Sequence, residues 1–392
     1  MKNFKFNIDG LFSFLSSIAV IIFGLLIGLV ILFISNAENA WQAFHTILTF
    51  GFSSARSIGD VLLASAPIIM TGLSVAFAFK TGLFNIGATG QFTMGAFVAI
   101  FIGVQGAAIP APLRIILAVV AAIIAGALWG AIPGLLKAYY NVHEVISSIM
   151  TNYIGMFLVN YLAITTIFDA GRGTTTRLPS DSALPTLGME NIFRDQIAPG
   201  TYRISNINIG IFLAIISAIV VYIILEKTTF GYELKACGFN KDAAKYAGIN
   251  EKRNIIYSMM ISGALAGLGG AINYLVASGL SMGVAVDVLA AQGFTGISVA
   301  FLGLSHPIAI IFSGTFVSYL FLGGARTQAL GFSIEVVEMV IAIIIYFCAF
   351  VSLVKMFMIN RFTKKSKLAV VDSVVVDDAT TANKVDTEED EA

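Results

Sequence analysis

Long apolar runs, each closed by a short charged or glycine-rich stretch, repeat along almost the whole chain. Ten of them lie near residues 11–34, 58–79, 91–105, 115–136, 145–167, 207–225, 254–277, 293–305, 307–324 and 333–354. Residues 11–34 carry no charge and reach roughly 36 Å as a helix at 1.5 Å per residue, enough to cross a bilayer with some tilt. That run exceeds the apolar region of a signal peptide, about 7–15 residues, so a retained first helix is expected. Two runs, 91–105 and 293–305, are short. Each follows a glycine-rich polar stretch, TGLFNIGATGQ at 81–91 and AAQGFTG at 290–296. Short, glycine-interrupted segments in the two halves of a transporter often mark the substrate path, although no repeat is evident here residue by residue.

Composition settles which solvent surrounds these runs. The chain is 57% hydrophobic and 12% charged, where a soluble domain carries about 25% charged residues. So much apolar surface needs lipid around it. The expected fold is therefore an all-α integral membrane protein of about ten transmembrane helices, a membrane domain over 1–367. With the N-terminus in the cytoplasm, sixteen of the 23 Lys and Arg residues fall on the cytoplasmic side, as the positive-inside rule requires. Both termini are then cytoplasmic. Three segments lie outside the membrane: an outer loop at 168–206 with three prolines, an inner loop at 226–253, and an acidic tail at 368–392 expected to be disordered.

Little in the chain carries covalent chemistry. His45, His143 and His306 are far apart, and Cys237 and Cys348 cannot build a disulfide framework or, with those histidines, a metal site. The glycines at 82 and 87 have no following lysine, so the stretch is not a phosphate loop. Neither metal, cofactor nor nucleic acid is expected as a partner. Intramembrane polar groups need a reason, because a charge at the bilayer centre costs about 2.5–3.5 kcal/mol even on insertion scales. Glu335 and Glu338 share one face near the outer end of the last run. They either snorkel or pair with Arg326, or they line the permeation path. Asn152 and Asn160 share a helix face, and buried Asn commonly joins helices. Pro67 and Pro133 mark kinks, and the small residues of 261–273 mark close helix packing.

The inner loop has internal organisation. Asn240 is an N-cap, Lys241 to Tyr246 form about two turns of helix, and Gly248 is a C-cap. Ala243, Ala244 and Ala247 make one side of that helix small. Two readings stay open on pattern alone: docking into a groove on another protein, or a basic loop attracted to anionic lipid.

This loop resembles the coupling segment of permease subunits of binding-protein-dependent ABC importers, the group that includes ribose, branched-chain amino acid and nucleoside permeases. The similar residues are Ala236, Gly238 and Asn240, then Ala243 and Ala244, then Gly248 and Ile249. The nucleoside branch is resembled by Gly82 to Gly87 with Gly90-Gln91, by His143 to Met150 with Asn152-Tyr153-Ile154, and by Gly293 to Gly303. The resemblance covers roughly 58–355; the pattern carries an acidic residue where this chain has Thr89. It implies a compact fold like that of type II importer permeases, a coupling helix seated in an ATP-binding subunit, and a second, homologous permease. A lipoprotein would deliver the cargo, and the site would be the plasma membrane of a bacterium. For an uncharged nucleoside the implied path residues are the amides Asn85, Gln91 and Asn152, the aromatics Phe84, Tyr153 and Phe294, and Glu144, Thr295 and Glu338. The rival readings are a simple-sugar permease and, in a different class, a secondary transporter that needs no ATPase.

Overall fold

A computed structural model of the chain describes residues 8–277, 282, 287–348, 350–351 and 353–357. The acidic tail at 368–392 lies outside the described residues. The helices are α1 (Ile8–Ser35), α2 (Ala40–Thr49), α3 (Ala55–Lys80), α4 (Ala88–Gln105), α5 (Ala111–Tyr140), α6 (Glu144–Thr166), α7 (Met189–Ile192), α8 (Gly210–Lys227), α9 (Thr229–Phe239), α10 (Lys241–Tyr246), α11 (Glu251–Tyr274), α12 (Ala291–Leu302), α13 (Pro307–Arg326) and α14 (Ile334–Cys348). Each expected span contains a helix. Eight helices among the described residues are long and apolar enough to cross a membrane. The exceptions are α12, with 12 residues, and α14, with 15 described residues.

The bundle is built around α11, which packs against α3, α4 and α5. Its small residues permit this. A Cβ on Gly263 or Gly267 would overlap the backbone carbonyls of Gly126 and Ala122 on α5, and one on Gly95 of α4 would overlap Gly267. Helix association in lipid gains little from the hydrophobic effect, so such backbone-to-backbone approach supplies much of the attraction. Pro67 and Pro133 lie inside α3 and α5, each removing one helical N–H. At the rim, α1 packs on α14 through Gly24 and Gly28, which meet Ile344 and Val340. Ile116, Leu128, Phe157, Ile164, Ile216 and Val220 are exposed on the outside of the bundle, the arrangement of a protein whose solvent is hydrocarbon.

Residues 168–206, expected only as a polar connection, form a built cap. It holds two antiparallel hairpins, β1 (Phe168–Asp169) with β2 (Thr174–Thr175), and β3 (Arg194–Ala198) with β4 (Thr201–Ile204). The cap is tied to the helices beneath it. Asp195 Oδ1 accepts the Arg56 N–H at 3.2 Å, and Ser205 donates to Asp60 at 2.7 Å. Arg114 at the start of α5, 2% exposed, pairs with Asp181 at 2.6 Å. The Arg114 guanidinium holds the Asp181 carboxyl below its usual range. A buried arginine is tolerable only because that carboxylate reaches it.

Candidate functional site

Two places gather the residues singled out in the sequence: the α8–α11 corner at one end of the bundle, and the region where α4 and α12 begin.

At the corner, α8 turns directly into α9. A Cβ on Gly231 would overlap the Ile224 carbonyl, so only glycine permits this turn, and Thr228 Oγ1 caps α9 by accepting the Gly231 N–H at 3.1 Å. Helix α9 was not legible in the sequence, which gave 226–253 one helix instead of two. Leu234 and Cys237 face inward, and burial pushes the Cys237 thiol up, away from reactivity. Helix α10 forms where its caps place it. Asn240 Oδ1 accepts the Ala243 N–H at 3.0 Å. Gly248 has φ +82, and the Ile249 N–H donates to the Ala244 carbonyl at 3.0 Å, a Schellman closure. The small side expected of this helix is divided: Ala244 is buried at 4%, while Ala243 and Ala247 face out. What the corner presents most prominently is aromatic, Phe239 at 91% and Tyr246 at 95% exposure.

The chain between α3 and α4 is a helical break held by amides. Asn85 is fully buried; its Nδ2 donates to Gln91 Oε1 at 2.8 Å and to Ser262 Oγ at 2.7 Å. Gln91 returns a bond to Asn85 Oδ1 at 3.2 Å. Asn152 of α6 completes the break from outside: its Oδ1 accepts the Gly90 N–H at 2.8 Å and its Nδ2 donates to the Ile86 carbonyl at 3.0 Å. Gly90 is the third residue of α4, whose own N-cap, Gly87, offers no side chain. Asn152 therefore caps α4 in trans. In this conformation Asn85, Gln91 and Asn152 bond one another's segments and do not face an open cavity. Replacing Asn152 by leucine orphans a buried N–H and a buried carbonyl, each costing about 1–3 kcal/mol. Thermal unfolding in detergent is expected several degrees lower, with aspartate, which keeps the acceptor, intermediate.

Helix α12 seats on this break. A Cβ on Gly293 would lie 2.6 Å from the Thr89 nitrogen, and one on Gly296 would lie 2.7 Å from the Thr71 carbonyl carbon. Both glycines of the G-F-T-G stretch are thus needed for close approach. Between α12, α13 and α14 lies a cavity of about 560 Å3. Phe294, Thr295 and Glu338 line it together with Ser298, Phe301 and Tyr346. Phe84 touches its wall, its ring 6.2 Å from that of Phe301. Glu338 is the one charged residue of the lining. It does not pair with Arg326, whose guanidinium sits 4.7 Å over the Phe50 ring.

Two residues expected on the path lie elsewhere. Tyr153 is exposed on the outside of α6. Glu144 at the start of that helix is paired with Lys137 at 2.8 Å and braces the α5–α6 corner. Asn160 donates to Asp287 at 2.9 Å, tethering α6 to the segment before α12. Residues missed by sequence reasoning are the fully buried Ser262, which accepts from Asn85, its partner Ser74, and the neighbouring pair Thr81 and Ser258. The spacing of Ser258 and Ser262 at i and i+4 was the available signal.

Residues 57–349 match the family model of the permease component of the branched-chain amino acid transport system. The chain is 36% identical to the guanosine ABC transporter permease protein NupP of Bacillus subtilis, over 84% of this chain and 91% of the relative. It is 35% identical to the nucleoside ABC transporter permease protein NupB of Lactococcus lactis, over 84% and 88%. It is 28% identical to the glucose ABC transporter permease protein TsgB13 of Haloferax volcanii, over 78% and 79%. No solved structure gives a match. The chain, a multi-pass membrane protein by its helices, belongs to the branched-chain amino acid transport permease family.

Proposed function

We propose that this chain is the membrane-spanning subunit of an ATP-driven importer of nucleosides, in the plasma membrane of a bacterium with both termini cytoplasmic. The observation that carries this reading is the 35–36% identity to nucleoside and guanosine permeases over 84% of the chain. The α9–α10 corner then faces the cytoplasm and receives an ATP-binding subunit. A second homologous permease stands beside this one, and a substrate-binding lipoprotein delivers cargo to the capped side. Hydrolysis belongs to the ATP-binding partner, and closure on the corner tilts the spans between outward- and inward-open states.

The cavity suits such cargo. Phe294, Phe301 and Tyr346 offer faces for a base, while Thr295, Ser298 and Glu338 offer polar groups for hydroxyls and ring N–H. A hydrogen bond to a charged acceptor is worth about 1.5–3 kcal/mol. Glu338→Gln is therefore expected to raise the half-saturating nucleoside concentration about tenfold or more, with assembly unchanged.

The test is uptake of labelled guanosine by the assembled importer in vesicles. Uptake is expected to require ATP, to resist a proton uncoupler, and to be competed by unlabelled uridine far better than by ribose. Competition by ribose or glucose alone would move the cargo to simple sugars, the reading that the 28% identical glucose permease favours. Uptake without ATP that collapses with the uncoupler would indicate a secondary transporter.

A further inference from the structure

One face of α11 is polar over the first half of the helix, where it passes through the interior of the bundle. Asn254, Ser258 and Ser262 recur every fourth residue, which places them in a row spanning about 12 Å of the helix. All three are fully buried. At the lower end Asn254 Nδ2 donates to Glu233 Oε2 at 3.1 Å and approaches Cys237 Sγ at 3.7 Å, both on α9. In the middle Ser258 Oγ and Thr81 Oγ1 are 2.7 Å apart. At the upper end Ser262 donates to the Ser74 carbonyl at 2.7 Å and accepts from Asn85 Nδ2 at 2.7 Å. Asn85 in turn holds Gln91 of α4. Three separate polar contacts, one turn of α11 apart, thus join that helix to α9, to the end of α3 and to the break that starts α4.

A second contact links the same two segments by backbone alone. A Cβ on Gly238, at the end of α9, would lie 2.6 Å from the Lys80 carbonyl oxygen and 3.0 Å from the Gly82 nitrogen. The end of α9 cannot shift toward the bundle without displacing residues 80–82.

We infer that Asn254, Ser258 and Ser262 are positioning residues of the transport cycle: together with the Gly238–Gly82 contact they transmit displacement of the α9–α10 corner to the α4 break. The inference rests on the importer reading for its physiological driver, but the linkage itself is a property of this chain alone. Polar groups that served only to hold helices together would have no reason to line up on one face of α11 so that a rigid helix carries all three contacts between the corner and the break. Buried hydroxyls and amides in lipid are retained where a specific alignment depends on them. A second observation fits: the opposite end of the break is fixed by Asn152 from α6, so a pull along α11 acts on a segment anchored at one side.

The test uses Asn254→Leu and Ser262→Ala, singly and together, in the full chain, with Ser313→Ala as control. Ser313 is a buried serine that bonds Val299 and Ile310 carbonyls away from the row. Hydrogen exchange of the detergent-purified permease is read first. Asn254→Leu is expected to raise amide exchange across residues 83–91 at least tenfold, although no direct hydrogen bond joins Asn254 to that segment, while Ser313→Ala leaves it within twofold. In the assembled importer the number of guanosine molecules taken up per ATP hydrolysed is expected to fall at least tenfold in each row variant. Association with the ATP-binding subunit should stay within twofold, and the double variant should be no worse than the poorer single one. Unchanged exchange at 83–91 in Asn254→Leu, or equal losses in Ser313→Ala, would overturn the inference. If Asn254→Leu does not fold, Ser258→Ala carries the same measurements. Failure of the wild-type importer to take up guanosine with ATP would sink the importer reading and leave the exchange result standing.

Discussion

The double variant Phe239→Ser, Tyr246→Ser is expected to lose ATP-driven uptake by on the order of a hundredfold or more while folding as stably as the parent. The two rings are 91% and 95% exposed, so removing them opens no cavity and breaks no internal contact. On a corner built from Lys241, Asp242 and Lys245, two bare aromatic side chains are out of keeping with their surroundings. Aromatic anchors of this kind dominate interfaces, at about 2 kcal/mol or more each, and each 1.4 kcal/mol is tenfold in affinity. Co-purification with the ATP-binding subunit should be lost together with uptake. In the importer reading Ala243 and Ala247, also outward, would set how closely the ATP-binding subunit approaches, and Asn240 and Gly248 hold the helix that presents them. Should the double variant copurify and transport as the parent does, the corner would be no docking element. The rings would then be read as membrane-surface residues, testable by loss of binding to anionic vesicles.

Gly263→Leu is expected to give no stably folded protein. The Cβ alone would overlap the Gly126 carbonyl oxygen, and Gly130 Cα lies 3.1 Å away. Backbone cannot yield as a flexible side chain does, so α5 and α11 would have to separate along their whole contact. Overpacking in a well-packed core costs about 1–3 kcal/mol or more. Size-exclusion profile and thermal unfolding in detergent are the measurements. A monodisperse Gly263→Leu variant with the parent's melting temperature would contradict the packing described. Ser298→Ala, on the cavity wall, serves as a control expected to leave the melt unchanged.

Much of this was legible in one sequence because lipid imposes a simple grammar. Every expected span contains a helix, since an apolar run in hydrocarbon has no other way to satisfy its backbone. The caps of α10 were readable for the same local reason: Asn240 and Gly248 act within a few residues. Helix α9 was not, because Thr229 to Phe239 mixes polar and apolar residues without a clean period and is fixed by Gly231 meeting α8 and Leu234 turning inward. The cap at 168–206 escaped because its strands are two to five residues long and are tied down by partners more than a hundred residues away, such as Asp195 to Arg56. The polar residues of the short-helix motifs were found, but not which of them bond across the bundle. Polar side chains in these segments look alike in sequence whether they line a cavity, as Thr295 and Glu338 do, or close a backbone break, as Asn85 and Asn152 do. Only the partner across the bundle distinguishes them.

The row on α11 also sets a timetable for biogenesis. Ser74 and Thr81 of α3 meet their partners Ser262 and Ser258 across separations of 188 and 177 residues. At roughly 5–20 residues per second, α3 emerges on the order of ten to forty seconds before the helix that completes it. Through that interval its polar groups and those of α4 stand in the bilayer with substitutes, whether water, the translocon or one another. Quality control that samples nascent spans for unsatisfied polar groups would find α3 suspect until α11 arrives. A chain truncated before residue 251 should therefore be degraded as a whole, early helices included.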